Sequence, residues 1–340
     1  MKILQVIDNL DVGGAERVFV DMCNILHENN HNVTALLLLT KNGELASQLQ
    51  VPFIKLDRKS KWNVSKMYRC YKIMKQYDIV HCHFRHVYTY MSIVNLIFNS
   101  NSKIILQDHY GSINIDKKIP FLLDSILKPS YYIGVSNTLR SWSIKYLKIE
   151  EVNVFLLSNI VRKKRYSMAN QIEVDFILVS NIKPVKNNLF AVELCQYLKK
   201  TLLLVGQIQD KEYYSKIKTK LDDTISISTL ILDSQEICRK AKFGLHTSKS
   251  ESGPLVLIEY LAQGLPFLSY ETGEVATILK PHFPEYFIDN FDMQEWKSKL
   301  DKIIKLDVDY TKMNTVFEQY FGEVQYYRKL ENIYACILKD

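Results

Sequence analysis

Glu251-Ser252-Gly253-Pro254-Leu255-Val256-Leu257-Ile258-Glu259-Tyr260-Leu261-Ala262-Gln263-Gly264-Leu265-Pro266 follows a short apolar stretch, residues 243–247, that predicts a β-strand. Pro254 fits the first position of a helix over residues 255–262, where its missing N–H costs nothing. Gly253 lets the backbone come close to a ligand. The N–H groups of Leu255 and Val256 have no partner within such a helix and carry its positive dipole end, which suits a phosphate. Glu251 lies in the loop before the helix and Glu259 just over one turn inside it, so both reach the same ligand site at different depths.

Outward from this stretch, short apolar strands alternate with amphipathic helices, the pattern of parallel α/β sheets. Strands are predicted at residues 2–7, 32–39, 53–56, 79–81, 103–108, 131–135 and 152–157, with helices such as 15–27, 64–76 and 138–146 between them. The pattern restarts with strands at 176–179, 202–205, 225–228, 243–247 and 267–269 and helices at 189–198, 213–221, 236–242 and 255–262. Two Rossmann-like units, 1–160 and 161–309, are expected to meet in the polar, basic segment 159–170 and to face each other across a cleft. Residues 310–340 read as helix with an apolar face of Phe317, Tyr320, Phe321, Val324 and Tyr327, a segment expected to pack back toward the first domain.

A chain of 340 residues has room for two cores. Six scattered cysteines without a C-x-x-C pair predict reduced thiols, and the opening apolar run is too short for a signal peptide. The longest apolar stretches fall far short of the roughly 20 residues that span a bilayer. A cytoplasmic location is therefore expected. Residues 1–160 carry 19 Lys+Arg against 13 Asp+Glu, whereas residues 161–340 carry 25 against 24. That excess is either a solvated surface or an attraction to something anionic, such as a membrane or a pyrophosphate-linked acceptor. No basic helix is interleaved with aromatics, so nucleic acid is not an expected partner.

Other constellations stand at predicted strand ends. Asn181-Ile182-Lys183-Pro184-Val185-Lys186-Asn187 is a basic turn, and Asp11-Val12-Gly13-Gly14-Ala15-Glu16-Arg17 opens a helix without the spacing of a dinucleotide fingerprint. His81-Cys82-His83 could hold a metal, but no second His or Asp cluster completes a ligand set. His109 follows the next strand. Asp307-Val308-Asp309 forms a D-x-D that falls inside helical sequence and is set aside.

The stretch from Glu251 to Pro266 resembles the E-x7-E region of the retaining family 4 glycosyltransferases, also called glycosyl transferases group 1. The basic turn is similar to the family's G-R-x-x-x-x-K-N segment, with Asn181 where arginine is usual, and Gly13-Gly14-Ala15-Glu16 is similar to its G-G-A-E segment. The resemblance implies a GT-B fold and a metal-independent hexosyl transfer with retention from a nucleotide-diphosphate sugar, a UDP-sugar first among candidates, with no cofactor. It implies that Glu251 and His83 act at the sugar and Lys186 at the departing diphosphate, with Lys183 making up for the arginine absent at Asn181. Gly13, Gly14, Asn181, Lys183, Asn187, Ser252, Gly253, Leu255, Val256 and His109 would line the substrates, and Glu259 would hold the ribose. The implied acceptor is a glycan or polyprenyl-linked chain in bacterial surface-polysaccharide assembly, reached from the inner face of the membrane. Residues 117–123, two lysines beside apolar residues, are the expected interfacial helix. An epimerase or hydrolase on the same fold, or a silent sugar-nucleotide-binding partner, are the rival readings.

Overall fold

The computed structural model describes residues 1–41, 43–167, 172–229 and 233–339. It divides into two compact units, Met1–Ile160 joined by the chain from Glu323 onward, and Val161–Gly322. Residues 168–170 of the expected junction lie outside the described residues.

Unit 1 runs β1 (Lys2–Ile7), α1 (Gly14–Glu28), β2 (Asn32–Leu37), β3 (Phe53–Lys55), α2 (Val64–Met74), β4 (Ile79–His83), α3 (Arg85–Phe98), β5 (Lys103–Asp108), α4 (Phe121–Asp124), β6 (Tyr131–Gly134), α5 (Asn137–Lys145) and β7 (Val154–Leu156). Its seven strands are all parallel in the order β3-β2-β1-β4-β5-β6-β7. Unit 2 runs β8 (Val174–Val179), α6 (Asn188–Leu198), β9 (Leu202–Val205), α7 (Lys211–Lys218), β10 (Ile225–Ser228), α8 (Ser234–Cys238), β11 (Ala241–His246), α9 (Leu255–Ala262), β12 (Phe267–Tyr270), α10 (Gly273–Leu279), β13 (Phe287–Ile288), α11 (Met293–Ile303) and α12 (Tyr310–Phe321). Its six strands are parallel in the order β10-β9-β8-β11-β12-β13. The last helix, α13 (Glu323–Lys339), belongs to unit 1.

Strand order reverses between β1 and β4 in unit 1 and between β8 and β11 in unit 2. Ligands of doubly wound sheets bind beyond the carboxyl ends of such strands. His83 is the last residue of β4, and the connections after the other three strands carry Gly13-Gly14, Lys183-Lys186 and Glu251. Helices on both faces bury the central strands, hence the near-continuous apolar runs of β1 and β4. Their exceptions are Gln5, His81 and His83, all with no exposed surface.

Several expectations are corrected. The stretch from residue 310 is not one segment: α12 stays in unit 2 with Phe317 and Phe321 buried, and α13 packs on unit 1 through Tyr326, Leu330, Ile333, Tyr334 and Ile337. Val324 is 61% exposed and is no part of that face. The D-x-D lies outside the helices, where Asp309 caps α12 by accepting from the Lys312 N–H. The expected interfacial helix is the single turn α4, which turns Leu123 into the core and leaves Phe121 80% exposed. Pro254 stands one residue before α9, in extended backbone.

Candidate active site

In unit 2, Lys186 Nζ donates to Glu251 Oε1, both side chains being largely buried. Burial alone would raise the Glu251 carboxyl, but the Lys186 ammonium and His246 outweigh it and hold the group well below the usual carboxylate range. His246, the last residue of β11, has Nε2 3.6 Å from the same oxygen. Its Nδ1 lies 2.9 Å from Ser269 Oγ, whose own proton goes to the Tyr270 carbonyl, so Nδ1–H is the donor there. Thr247 Oγ1 donates to the carbonyls of Lys186 and Asn187 and fixes the lysine's loop to β11. Asn187 sits in the left-handed region at φ 53°, which asparagine tolerates better than most residues. Burial, then the neighbouring Lys186 charge, pull the Lys183 ammonium below its ordinary value, while Glu251 opposes. Two ammonium groups thus crowd together beside one carboxylate, an arrangement that an arriving dianion relieves.

The loop from Glu251 to Pro254 is set by its neighbours. Glu251 N donates to Thr272 Oγ1, and Ser252 O accepts from Glu274 N. Gly273 has φ +82°, and a Cβ there would lie 2.8 Å from Pro254 Cδ and 3.1 Å from Glu251 Cβ, so only glycine allows this contact. Ser252 is buried, Gly253 and Leu255 are partly exposed, and Val256 faces inward. Glu259 is 7% exposed, and its Oε1 accepts from Ser234 Oγ at 2.6 Å. Asn181 serves the backbone: its Oδ1 accepts from the Gln207 N–H at 3.2 Å, tying the ends of β8 and β9 together.

In unit 1, three imidazoles lie nearly parallel, His81 to His83 with centroids 4.8 Å apart and His83 to His109 with centroids 5.3 Å apart. His83, expected at the sugar, has no exposed surface and lies beneath His109, which is partly exposed. The pleat accounts for this burial: His81 and His83 project to one face of β4, and that face is covered. Burial lowers all three imidazoles, His81 to about 3 and His109 to about 4, so they are neutral at pH 7. Beside His109, Asp108 accepts from Arg85 Nε at 2.7 Å, Tyr132 OH at 2.8 Å and the Tyr110 N–H at 3.1 Å. The Arg85 guanidinium lies 4.1 Å from the Trp142 ring centroid and 4.7 Å from that of Tyr110. These contacts fix the backbone on both sides of His109.

At the end of β1, Asp8 meets His86 Nε2 at 2.7 Å and Arg58 at 3.2 Å. Gly13 caps α1 in extended backbone, and Gly14 is exposed at the first turn. Asp8, His86, Ser234, His246 and Thr247 escape a search for motifs. Their signal is position, since each lies at or just beyond a strand's carboxyl end or at a helix start facing one. Among the described residues, no group of three or more His, Cys, Asp or Glu side chains is arranged to hold a metal ion. No described helix is long and apolar enough to cross a membrane.

Two parallel Rossmann-like domains with these connections at their switch points are the GT-B architecture. The model of glycosyltransferase family 4 matches residues 12–165 and that of glycosyl transferases group 1 matches residues 162–320, and the chain belongs to this family. No curated protein matches the sequence. Among solved structures, HepE of Anabaena in complex with UDP and glucose is similar at TM-score 0.79 and 14% identity, over 98% of this chain and 99% of that one. The lipopolysaccharide outer core galactosyltransferase WaaB is similar at 0.71 and 15%, over 98% and 99%. TarM of S. aureus, solved as a mutant with fondaparinux, α-GlcNAc-glycerol and UDP, is similar at 0.77 and 12%, over 98% and 99%.

Proposed function

We propose that this glycosyltransferase moves a sugar from a UDP-sugar, with retention and without a metal, to a hydroxyl of a glycan or polyprenyl-linked acceptor in bacterial surface-polysaccharide assembly. The observation that carries the reading is the Lys186–Glu251 pair, with Lys183 beside it, which joins the β8–α6 loop to the loop leading into α9. A diphosphate entering there takes the Lys186 ammonium, and Glu251 is released to accept from hydroxyls of the sugar. When the bond from the anomeric carbon to the phosphate oxygen breaks, its electron pair goes to the diphosphate. Lys186, Lys183 and the N–H groups of Leu255 and Val256 stabilise that charge. The acceptor hydroxyl attacks on the face the diphosphate leaves, and its proton passes to the departing phosphate oxygen. Glu259, held by Ser234, takes the ribose hydroxyls. His109 is the unit 1 imidazole available to the sugar, and Asp8 with His86 serves the acceptor.

The UDP bound to HepE and TarM supports the choice of base, and the glycan ligand of TarM and the lipopolysaccharide substrate named for WaaB support the acceptor class. An apolar patch of Ile115 (68% exposed), Phe121 and Ile126 (67%), with Lys117, Lys118 and Lys128 nearby in the chain, supports a peripheral place on an anionic membrane.

The test is a thermal-shift screen of UDP-, GDP- and ADP-sugars, followed by turnover in EDTA. A UDP-sugar at 100 times its Kd stabilises by about 2.7 kcal/mol, a rise of about 5–10 °C for a domain of this size. A response to GDP- or ADP-sugars alone overturns the choice of base. Binding without turnover supports a silent partner, and turnover lost to chelation and restored by a divalent ion overturns metal independence.

A further inference from the structure

The interior of unit 1 contains a continuous hydrogen-bonded chain that starts on the C-terminal helix. Tyr334 OH lies 2.7 Å from His81 Nδ1 and accepts from Gln5 Nε2 at 2.8 Å. Gln5 Oε1 lies 3.0 Å from His83 Nε2, and His83 Nδ1 lies 3.1 Å from His109 Nε2. Gln5, His81, His83 and Tyr334 are all fully buried.

Each link has one proton, and one link decides the rest. The Tyr334 oxygen accepts from Gln5, so its own proton goes to His81 Nδ1. The amide oxygen of Gln5 then requires a proton on His83 Nε2. That leaves His83 Nδ1 bare, and His109 must supply the proton of the last link from Nε2. His109 is thereby a neutral ring with an unprotonated Nδ1, the nitrogen left for an outside hydroxyl. Reversing the Gln5 amide reverses every link and puts the proton of His109 on Nδ1. The two settings offer a substrate opposite hydrogen-bonding character, an acceptor or a donor.

We propose that Tyr334 is a positioning residue that sets the tautomer of His109 through Gln5 and His83, so that His109 presents Nδ1 as an acceptor for a hydroxyl of the donor sugar. The proposal rests on the glycosyltransferase reading for its substrate and on the buried chain alone for its mechanism. Tyr334 is on α13, which follows all the family motifs in sequence, so the helix has a role in the site as well as in the core.

The test is long-range 1H–15N NMR of the histidine rings at neutral pH, for the wild type, Tyr334→Phe and Gln5→Leu. The wild type is expected to show His83 and His109 as single Nε2–H tautomers. Tyr334→Phe, which removes one oxygen, is expected to mix the tautomers of both. Gln5→Leu cuts the chain at its middle and is expected to mix them while His81 keeps its bond to Tyr334. Turnover of the UDP-sugar selected by the thermal screen should fall about five- to tenfold in both variants, with KM for the donor changing less than twofold. An Nδ1–H tautomer of His109 in the wild type, or unchanged His83 and His109 spectra in both variants, overturns the proposal. Mixed tautomers with unchanged turnover overturn instead the role of His109 toward the donor sugar.

Discussion

His109 Nε2 lies 3.1 Å from His83 Nδ1, with the two rings 14° from parallel, and of the two residues only His109 has exposed surface. Substitutions at the two positions should therefore fail in different ways. His109→Ala should lower turnover at least tenfold, about 1.4 kcal/mol in barrier, with a smaller loss of stability than His83→Ala, since it leaves one buried nitrogen without its partner. His83→Ala should lower the unfolding free energy by about 1–3 kcal/mol, because Gln5 and His109 are left with unmet buried groups. Full turnover in folded His109→Ala, measured at saturating donor, would remove that residue from the reaction.

The Lys186–Glu251 pair predicts a second difference. Lys186→Ala removes the cation proposed for the departing diphosphate and leaves Glu251 buried without its main partner. Turnover should fall at least tenfold and UDP affinity should also drop. Lys183→Ala should have a smaller effect of the same sign. If Lys183→Ala proves the more severe in both readouts, Lys183 is the principal phosphate ligand and Lys186 chiefly orders Glu251.

Glu259 offers a test confined to the nucleotide. Removing a charged acceptor of hydrogen bonds costs about 1.5–3 kcal/mol, so Glu259→Ala should weaken UDP binding about ten- to 150-fold by calorimetry. Ser234→Ala should weaken it less, since Ser234 only orients the carboxylate. Equal UDP affinity in Glu259→Ala and the wild type would place the ribose elsewhere.

The buried imidazoles make stability depend on pH. His81 and His109 are lowered to about 3 and about 4, against about 6.5 in an unfolded chain. Below pH 6.5 the unfolded state binds protons that the folded state refuses, so their stabilising effect is complete above that pH and is lost as pH falls toward 4. By pH 5 each costs about 2 kcal/mol. Glu251, held low, loses its contribution only in stronger acid. The urea midpoint should accordingly drop between pH 7 and pH 5, and His81→Gln should flatten that slope. A midpoint constant across this range would mean that the histidines are charged in the folded protein.

The fold was legible because β9 is an unbroken apolar run, β1 and β5 have apolar centres and β10 alternates apolar with polar residues, and the limits of all four in the structure are those expected. Helix α3 was not, since Val87-Tyr88-Thr89-Tyr90 has strand-like propensity and only packing against β4 and β5 makes it helical. Two-residue β13 is too short to leave a pattern. Around α9, Lys186, Glu251 and Glu259 stand out in the sequence because the motif that groups them is a spacing along the chain. The burial of His83 beneath His109 was not legible, since spacing shows that His81 and His83 share a face but not what covers it. Tyr334 lies 251 residues beyond His83, and only the folded chain brings it to Gln5.

The last prediction concerns the membrane. Ile115, Phe121 and Ile126 are more than 60% exposed, although Leu123 between them is fully buried, so α4 is anchored to unit 1 and still presents an apolar surface outward. Trp142 Nε1 donates to the Lys117 carbonyl and fixes the basic end of this segment. Ile126 also lines a cavity of about 300 Å³ with Leu96, Lys103 and Lys128, which extends the mixed apolar and basic surface. Insertion of Phe121 into a lipid boundary would contribute about 1.5–3 kcal/mol, and each lysine near an anionic surface about 1 kcal/mol. The lysine contribution decays over about 10 Å at 0.1 M salt. Binding should thus need both anionic lipid and the apolar residues. Phe121→Ser should weaken sedimentation with phosphatidylglycerol vesicles at every salt concentration. Lys117→Glu with Lys118→Glu should weaken it at low salt and matter little by about 0.5 M, where charges are screened. Equal partitioning onto neutral and anionic vesicles would remove the lysines from the account, and no partitioning at all would leave the patch without a membrane role.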